Sequence, residues 1–150
     1  MAPTPPSAVS ASSTRSFRGR DDVTEHARDV LLIAAGGALG AVARHSVGRL
    51  VGPSAEGGIP WHTLLVNITG AFALGLLLVI ASRHGWPGWW RPLLGVGLLG
   101  GYTTFSALSL EAADLMLRGS VATAAFYLAL SGLAAIAGAL GGILFGRAVA

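Results

Sequence analysis

Gly100-Gly101-Tyr102-Thr103-Thr104-Phe105-Ser106 lies near the middle of Pro92 to Leu110, a 19-residue run without one charge. Two glycines followed by two β-branched threonines make a poor helix interior. A helix broken here would free N–H and C=O groups at mid-membrane. Such groups are tolerated only when buried in protein, facing water or holding an ion, and broken helices at the midplane are a recurring device for ion sites. The competing reading is an unbroken or mildly kinked helix whose threonine hydroxyls bond back to carbonyls.

Working outward, this run is one of four apolar segments. The first runs from Val30 to Val51, interrupted near its end by Arg44, His45 and Arg49. The second lies within Gly57 to Ser82, the third continues from Pro92 to about Leu117, and the fourth lies within Gly119 to Gly146. Each supplies the roughly 20 residues that cross a bilayer. Breakers separate them at Gly52-Pro53, Gly57-Gly58, Trp86-Pro87-Gly88 and Arg118-Gly119. Trp61, Trp86, Trp89 and Trp90 sit at segment ends, as an interfacial aromatic belt would. Four helices with short loops place both termini on one side. Residues 1–28, rich in Pro, Ser, Thr and Arg and later in Asp and Glu, lack the apolar area to order themselves. The expected organisation is a disordered tail over residues 1–28 and a four-helix transmembrane unit over residues 29–150.

Composition supports the same class. Hydrophobic residues make up 53% of the 150 and charged residues 11%, against about 25% charged in a soluble domain. So few charges cannot cover a soluble surface. With no cysteine, disulfides and thiolate chemistry are excluded. All ten basic residues are arginine and they are scattered, which the positive-inside rule explains without a nucleic-acid partner. Seven of them (Arg15, Arg18, Arg20, Arg28, Arg83, Arg91 and Arg147) fall on the side of the termini. Arg49 and Arg118 fall on the other side, with Arg44 near that boundary. This bias favours cytoplasmic termini.

Glycines at small-xxx-small spacing (Gly36 and Gly40, Gly97 and Gly101, and Gly138, Gly142 and Gly146) predict close helix packing, including an oligomer interface. Polar residues inside the segments are few, and such residues point to function by default. Thr63 and Asn67 stand one turn apart on one face. The Asn67 amide suits either an anion or a partner carbonyl. Glu111 lies seven residues beyond Thr104 and reads equally as the wall of a watery vestibule or as an interfacial carboxylate. Asp114 falls at the membrane boundary. Thr123, Tyr127 and Ser131 form a hydroxyl stripe, fit either to pass an ion along or to bond the preceding turn. Arg44 reads as a snorkelling side chain. His45, His62 and His84 are single residues near segment ends. No metal-ligand spacing, Ser-His-Asp constellation or phosphate-binding loop occurs, which leaves a hydrolase or ATP-driven pump without support and predicts a protein that is not an enzyme.

Three stretches in order, Gly36-Gly37-Ala38-Leu39-Gly40-Ala41-Val42-Ala43-Arg44, Thr63-Leu64-Leu65-Val66-Asn67-Ile68-Thr69-Gly70-Ala71-Phe72 and Gly100 to Ser106, resemble the Fluc/CrcB family of small dual-topology fluoride channels, over about residues 30 to 147. The resemblance implies two four-helix subunits in an antiparallel dimer with two fluoride pathways. By it, Asn67 corresponds to a pore asparagine that donates to fluoride, and Phe105 to the first of two phenylalanines whose ring edges face the anion. Thr104 and Ser106 become candidate hydroxyl donors. The carbonyls of Gly100 and Thr103 correspond to those holding a structural sodium ion at the dimer centre. Glu111 corresponds to a vestibule carboxylate, Tyr127 and Ser131 to the start of a polar track, and Arg44 to an arginine after the first glycine motif.

The chain departs from the pattern at two positions. The second phenylalanine falls at Leu108, and leucine has no positive ring edge. His45 stands where a tyrosine is common. The physics nevertheless suits the ion. Fluoride is tightly hydrated, so a pore must replace its water with donors, and the Asn67 amide, hydroxyls and a ring edge do so without a full charge that would hinder release. The expected activity is passive export of cytoplasmic fluoride across the cell membrane, driven by the inside-negative potential and protecting against fluoride toxicity. The expected partners are the bilayer and either a second copy or an oppositely biased paralogous subunit. The principal alternative is a four-helix proton-coupled multidrug exporter, which would need a membrane-buried carboxylate. A membrane scaffold would explain the glycines but not Asn67, Thr104 and Phe105.

Overall fold

The computed structural model describes residues 10–150, with side chains from Asp22 onward. The described residues are helical without strand: α1 (Ser10–Val51), α2 (Trp61–Arg83), a π-helical segment Arg91–Leu99, α3 (Gly100–Tyr102), α4 (Phe105–Leu117) and α5 (Val121–Val149). They make four spans long and apolar enough to cross a membrane: Asp22–Val51, Trp61–Arg83, Arg91–Leu117 and Val121–Val149. The expected four-helix architecture is therefore present.

α1 starts well before the first apolar residue. Residues 10–28, read from composition as part of a disordered tail, are drawn here as helix, and residues 1–9 lie outside the described residues. Extending a helix already formed by Val30 to Val51 requires no new nucleus, so polar residues can propagate it backward. Residues Asp22 to Arg28 are exposed all round.

Two glycine seams hold the spans. A methyl on Gly36 would strike the Leu93 carbonyl, one on Gly40 the Leu98 carbonyl, and one on Gly101 the Gly37 carbonyl, so α1 lies backbone to backbone on the first half of the third span. The second seam joins α2 to α5. There, Gly138 and Gly142 face the carbonyls of Ile68 and Phe72, and Gly75 faces that of Ala139. In lipid, where burial of apolar area gives little advantage, such approach supplies the dispersion contact that holds helices together. Both seams lie inside one chain.

The third span changes neighbours midway. Its π-helical start and α3 pack on α1, whereas α4 packs on α5. Around that second contact Leu64, Leu108, Ala112, Leu115, Ala124 and Tyr127 form the buried core. Most other large apolar side chains face outward, among them Leu39, Leu110, Phe126, Leu133 and Leu144.

The connections are sharp. After α4, Gly119 takes φ +82° and the amides of Gly119 and Ser120 return to the carbonyls of Met116 and Leu115. This glycine-closed cap satisfies carbonyls the helix end would leave orphaned. Three of the four tryptophans have outward surface at the helix ends, but Trp90 is buried, with the Arg91 guanidinium 5.6 Å from its ring centroid. Asp114 is exposed and bonds Arg118 Nε at 2.8 Å, which raises the proton affinity of that guanidinium above its usual value.

Candidate functional site

The third span is broken where the glycine–threonine stretch predicts. Thr103 (φ −78°, ψ 156°) and Thr104 (φ −152°, ψ 121°) are extended between α3 and α4. Three bonds hold the break open. Asn67 Nδ2 donates to the Thr104 carbonyl at 3.0 Å, and the Thr104 amide donates to Asn67 Oδ1 at 2.8 Å. The Thr104 hydroxyl then accepts from the Ala107 amide at 3.1 Å, capping α4. The Thr103 hydroxyl donates to the Leu99 carbonyl at 2.9 Å. Threonine suits this place because its side chain competes for backbone groups while its β-branch favours extended geometry.

These bonds redirect two amides. In an unbroken helix the amides of Thr104 and Ala107 would close on the carbonyls of Gly100 and Thr103. They go instead to Asn67 and to the Thr104 side chain. The two carbonyls that the resemblance assigns to sodium are therefore among those whose usual helical donors are lost at the break.

A cavity of about 570 Å³ adjoins the break, and Asn67, Gly100, Thr103, Thr104, Phe105 and Ser131 all line it. Asn67 spends one amide hydrogen on Thr104 and keeps a second. Ser131 is 2% exposed, and its hydroxyl has no partner. Leu108 is on the same wall at 7% exposure, whereas Phe105 is 78% exposed. Ser106 is exposed and pairs with Thr104, hydroxyl to hydroxyl, at 3.1 Å.

Glu111 and Tyr127 do not line that cavity. Tyr127, fully buried, donates to Glu111 Oε2 at 2.7 Å, and Thr63 donates to Oε1 at 2.8 Å. His62 Nε2 lies 3.4 Å from the same Oε1. The carboxylate is thus a knot joining α2, α4 and α5. Glu111 also lines a cavity of about 210 Å³ near the α4 end, together with Glu56, Asp114 and Arg118. Tyr127 bonds Glu111, and Ser131, one turn on beside the Tyr127 hydroxyl, lines the cavity at the break. Arg44 lines a third cavity together with His62 and Thr104.

The sequence reading treated His62 as a lone residue and gave Thr63 no carboxylate partner. The available signal was the spacing of Thr63 and Asn67 on one face. Both side chains reach the second half of the third span, Thr63 to Glu111 and Asn67 to Thr104. That His62 would join them depends on how α4 meets α2, which local periodicity does not encode.

A helix interrupted inside the bilayer, with neutral donors around the interruption and no fixed charge lining the adjoining cavity, defines a small four-span membrane transport subunit. The chain belongs to the CrcB-like family: the model of the family described as "CrcB-like protein, Camphor Resistance (CrcB)" matches residues 31–143. Among similar proteins is the "Fluoride-specific ion channel FluC" of Agrobacterium fabrum, 43% identical over 124 residues, covering 79% of this chain and 96% of that protein. The protein of the same name from Caulobacter vibrioides is 44% identical over 126 residues, covering 80% and 96%. "Fluoride-specific ion channel FluC 2" of Nocardia farcinica is 44% identical over 115 residues, covering 73% and 78%. Nothing in these likenesses supports a multidrug exporter.

Proposed function

We propose that this chain is the subunit of a fluoride-selective channel, carrying cytoplasmic fluoride outward down its electrochemical gradient and so lowering its toxicity. The observation that carries the reading is the Asn67–Thr104 clamp. It opens the third span beside a cavity holding a spare Asn67 amide hydrogen, the unpartnered Ser131 hydroxyl and the Phe105 ring. Such donors replace the water of a small anion while leaving it free to depart. The similar proteins named as fluoride-specific channels give the anion its identity. The Thr104, Ser106 and Tyr127 hydroxyls and the Glu111 knot complete the pathway.

Phe105, largely uncovered in one chain, fits a pathway closed by a second subunit. In that dimer the carbonyls of Gly100 and Thr103 from each subunit hold one sodium ion, whose charge adds positive potential near the anion path. Two identical chains in opposite orientations, or this chain and a paralogue, both satisfy the arrangement. The arginine bias favours cytoplasmic termini in the cell membrane and hence a paralogous partner. Numbered FluC 1 and FluC 2 relatives accord with paired genes.

The test is fluoride efflux from proteoliposomes containing purified wild type, Asn67→Asp or Phe105→Ile. Wild type, alone or reconstituted with a paralogous subunit, empties the vesicles and both variants are slowed. Variants that transport like wild type would refute the site assignment. Robust efflux by the chain alone would remove the requirement for a paralogue.

A further inference from the structure

Tyr102, the last residue of α3, places its hydroxyl 3.1 Å from that of Thr69 on α2. The single Thr69 hydroxyl hydrogen is directed to the preceding turn, where Oγ1 lies 2.7 Å from the Leu65 carbonyl and 3.3 Å from that of Val66. Tyr102 is therefore the donor between the two hydroxyls. Neither residue belongs to the pathway proposed above. The bond runs from Tyr102 through Thr69 into the α2 backbone, and so fastens α3 to α2. Among the described residues no other side-chain hydrogen bond joins those two helices.

The third span is thus tied to α2 on both sides of its break. Tyr102 holds Thr69 before it, and Thr104 holds Asn67 after it. At about 100° per residue, Gly70 lies on the shorter arc of α2 between Asn67 and Thr69. Thr103 sits over that glycine: a methyl there would strike Thr103 Cγ2 and stand 3.1 Å from the Tyr102 ring. The Thr103 amide and hydroxyl both donate to the Leu99 carbonyl, at 3.0 and 2.9 Å. What seats Thr103 on α2 is its methyl on Gly70 and the ties at its two neighbours. α3 packs chiefly on α1, whereas α2 packs chiefly on α5. The Tyr102 bond is a crosstie between those two pairs, placed one residue before the chain becomes extended.

We propose that Tyr102 is a positioning residue for the ion path. By donating to Thr69 it keeps the end of α3 on α2, so that Thr103 stays extended and the Thr104 backbone stays against Asn67. Without that bond α3 follows α1 alone, and the Asn67–Thr104 pair opens more often. Its role is exerted through Thr103 and Thr104, not by contact with the anion. The inference rests on the fluoride-channel reading for what passes the break, and adds a residue that governs how long the break keeps its shape. Phenylalanine fills the same place without the bond, so the hydroxyl alone carries the effect.

The experiment compares Tyr102→Phe, Thr69→Val, the double variant and the conservative Thr69→Ser in the full-length protein. Amide hydrogen exchange, read by NMR in detergent, reports local opening at Thr104, whose amide is bonded to Asn67. Exchange there is expected to quicken about threefold in each of the first two variants, the usual worth of a side-chain hydrogen bond between membrane helices. The double variant should show no further gain, because both substitutions remove one bond. Thr69→Ser should keep the wild-type rate, and so should the amides of Gly142 and Gly146 in the α2–α5 seam throughout. Fluoride efflux from proteoliposomes should slow by a similar factor in the same variants. A wild-type rate at Thr104 in Tyr102→Phe, additive effects, or equal acceleration across the chain would each overturn the proposal. Faster exchange with undiminished efflux would overturn it as well, by leaving the bond a structural tie only. A wild type that does not conduct removes the channel reading, and exchange at Thr104 then decides alone whether Tyr102 positions the break. A conducting wild type with an unresponsive Thr104 loses only the tie.

Discussion

Asn67 and Thr104 exchange two hydrogen bonds, Nδ2 to carbonyl at 3.0 Å and amide to Oδ1 at 2.8 Å. This is the pairing that two strands make, with one partner replaced by a side-chain amide. It satisfies the backbone where the third span ceases to be helical, and it leaves one amide hydrogen over.

Asn67→Ala removes both bonds and orphans two backbone groups inside the membrane. Stability should fall by about 1–3 kcal/mol, read as a lower thermal midpoint in detergent. Asn67→Asp keeps an acceptor for the Thr104 amide but sets a carboxylate against the Thr104 carbonyl and the anion. Its efflux should drop by more than about tenfold, as a loss of about 1.4 kcal/mol would give.

Gly40→Ala tests the first seam. The added methyl meets the Leu98 carbonyl and the Tyr102 amide, and backbone cannot swing aside as a flexible side chain would. Overpacking of this kind costs about 1–3 kcal/mol. Gly132→Ala, with open space around it, should leave the thermal midpoint unchanged or slightly higher. Equal effects from the two substitutions would show that the seam is not what holds α1.

Leu108→Phe addresses the missing aromatic. Leu108 has the core on one side and the cavity with Asn67 and Phe105 on the other, so a ring has space to enter. A second ring edge near the anion is worth about 0.5–1.5 kcal/mol, a rise in efflux of about two- to tenfold. Reduced efflux with a lower thermal midpoint would mean that the ring is forced into the core.

Tyr127→Phe removes one donor from Glu111 and the hydroxyl beside Thr63 and Ser131. A hydrogen bond to a charged acceptor contributes about 1.5–3 kcal/mol, so the variant should unfold at lower temperature. Glu111→Gln should relieve part of that loss when combined with it, since a neutral amide needs less support; a double-mutant cycle measures the coupling.

Replacing sodium with N-methylglucamine on both sides of the vesicle should suppress efflux if the carbonyls of Gly100 and Thr103 hold the ion. Their helical donors are occupied by Asn67 Oδ1 and Thr104 Oγ1. Efflux indifferent to sodium would assign those carbonyls to other partners.

Much of this arrangement was legible in the sequence. The four spans follow from uncharged length, and the break from adjacent glycines and β-branched threonines. Asn67 and Thr63 were placed on one face by their spacing. What the sequence did not show depends on contacts between spans. Small-xxx-small spacing announces a close neighbour without saying which. Tyr127 and Ser131 share a stripe, yet only Tyr127 reaches Glu111, a contact that depends on how α4 meets α5. Composition, which reports burial, says nothing of the helical start of α1, since helix extension from an existing end needs none.

The third span belongs to two neighbourhoods, its beginning fastened to α1 and its end resting on α5. Any sliding of one glycine-joined pair against the other must be absorbed at Thr103 and Thr104, the only extended residues between α3 and α4. Under the proposed pathway, the joint between the two pairs is also the stretch the anion passes, so a substitution that stiffens it should alter conduction too.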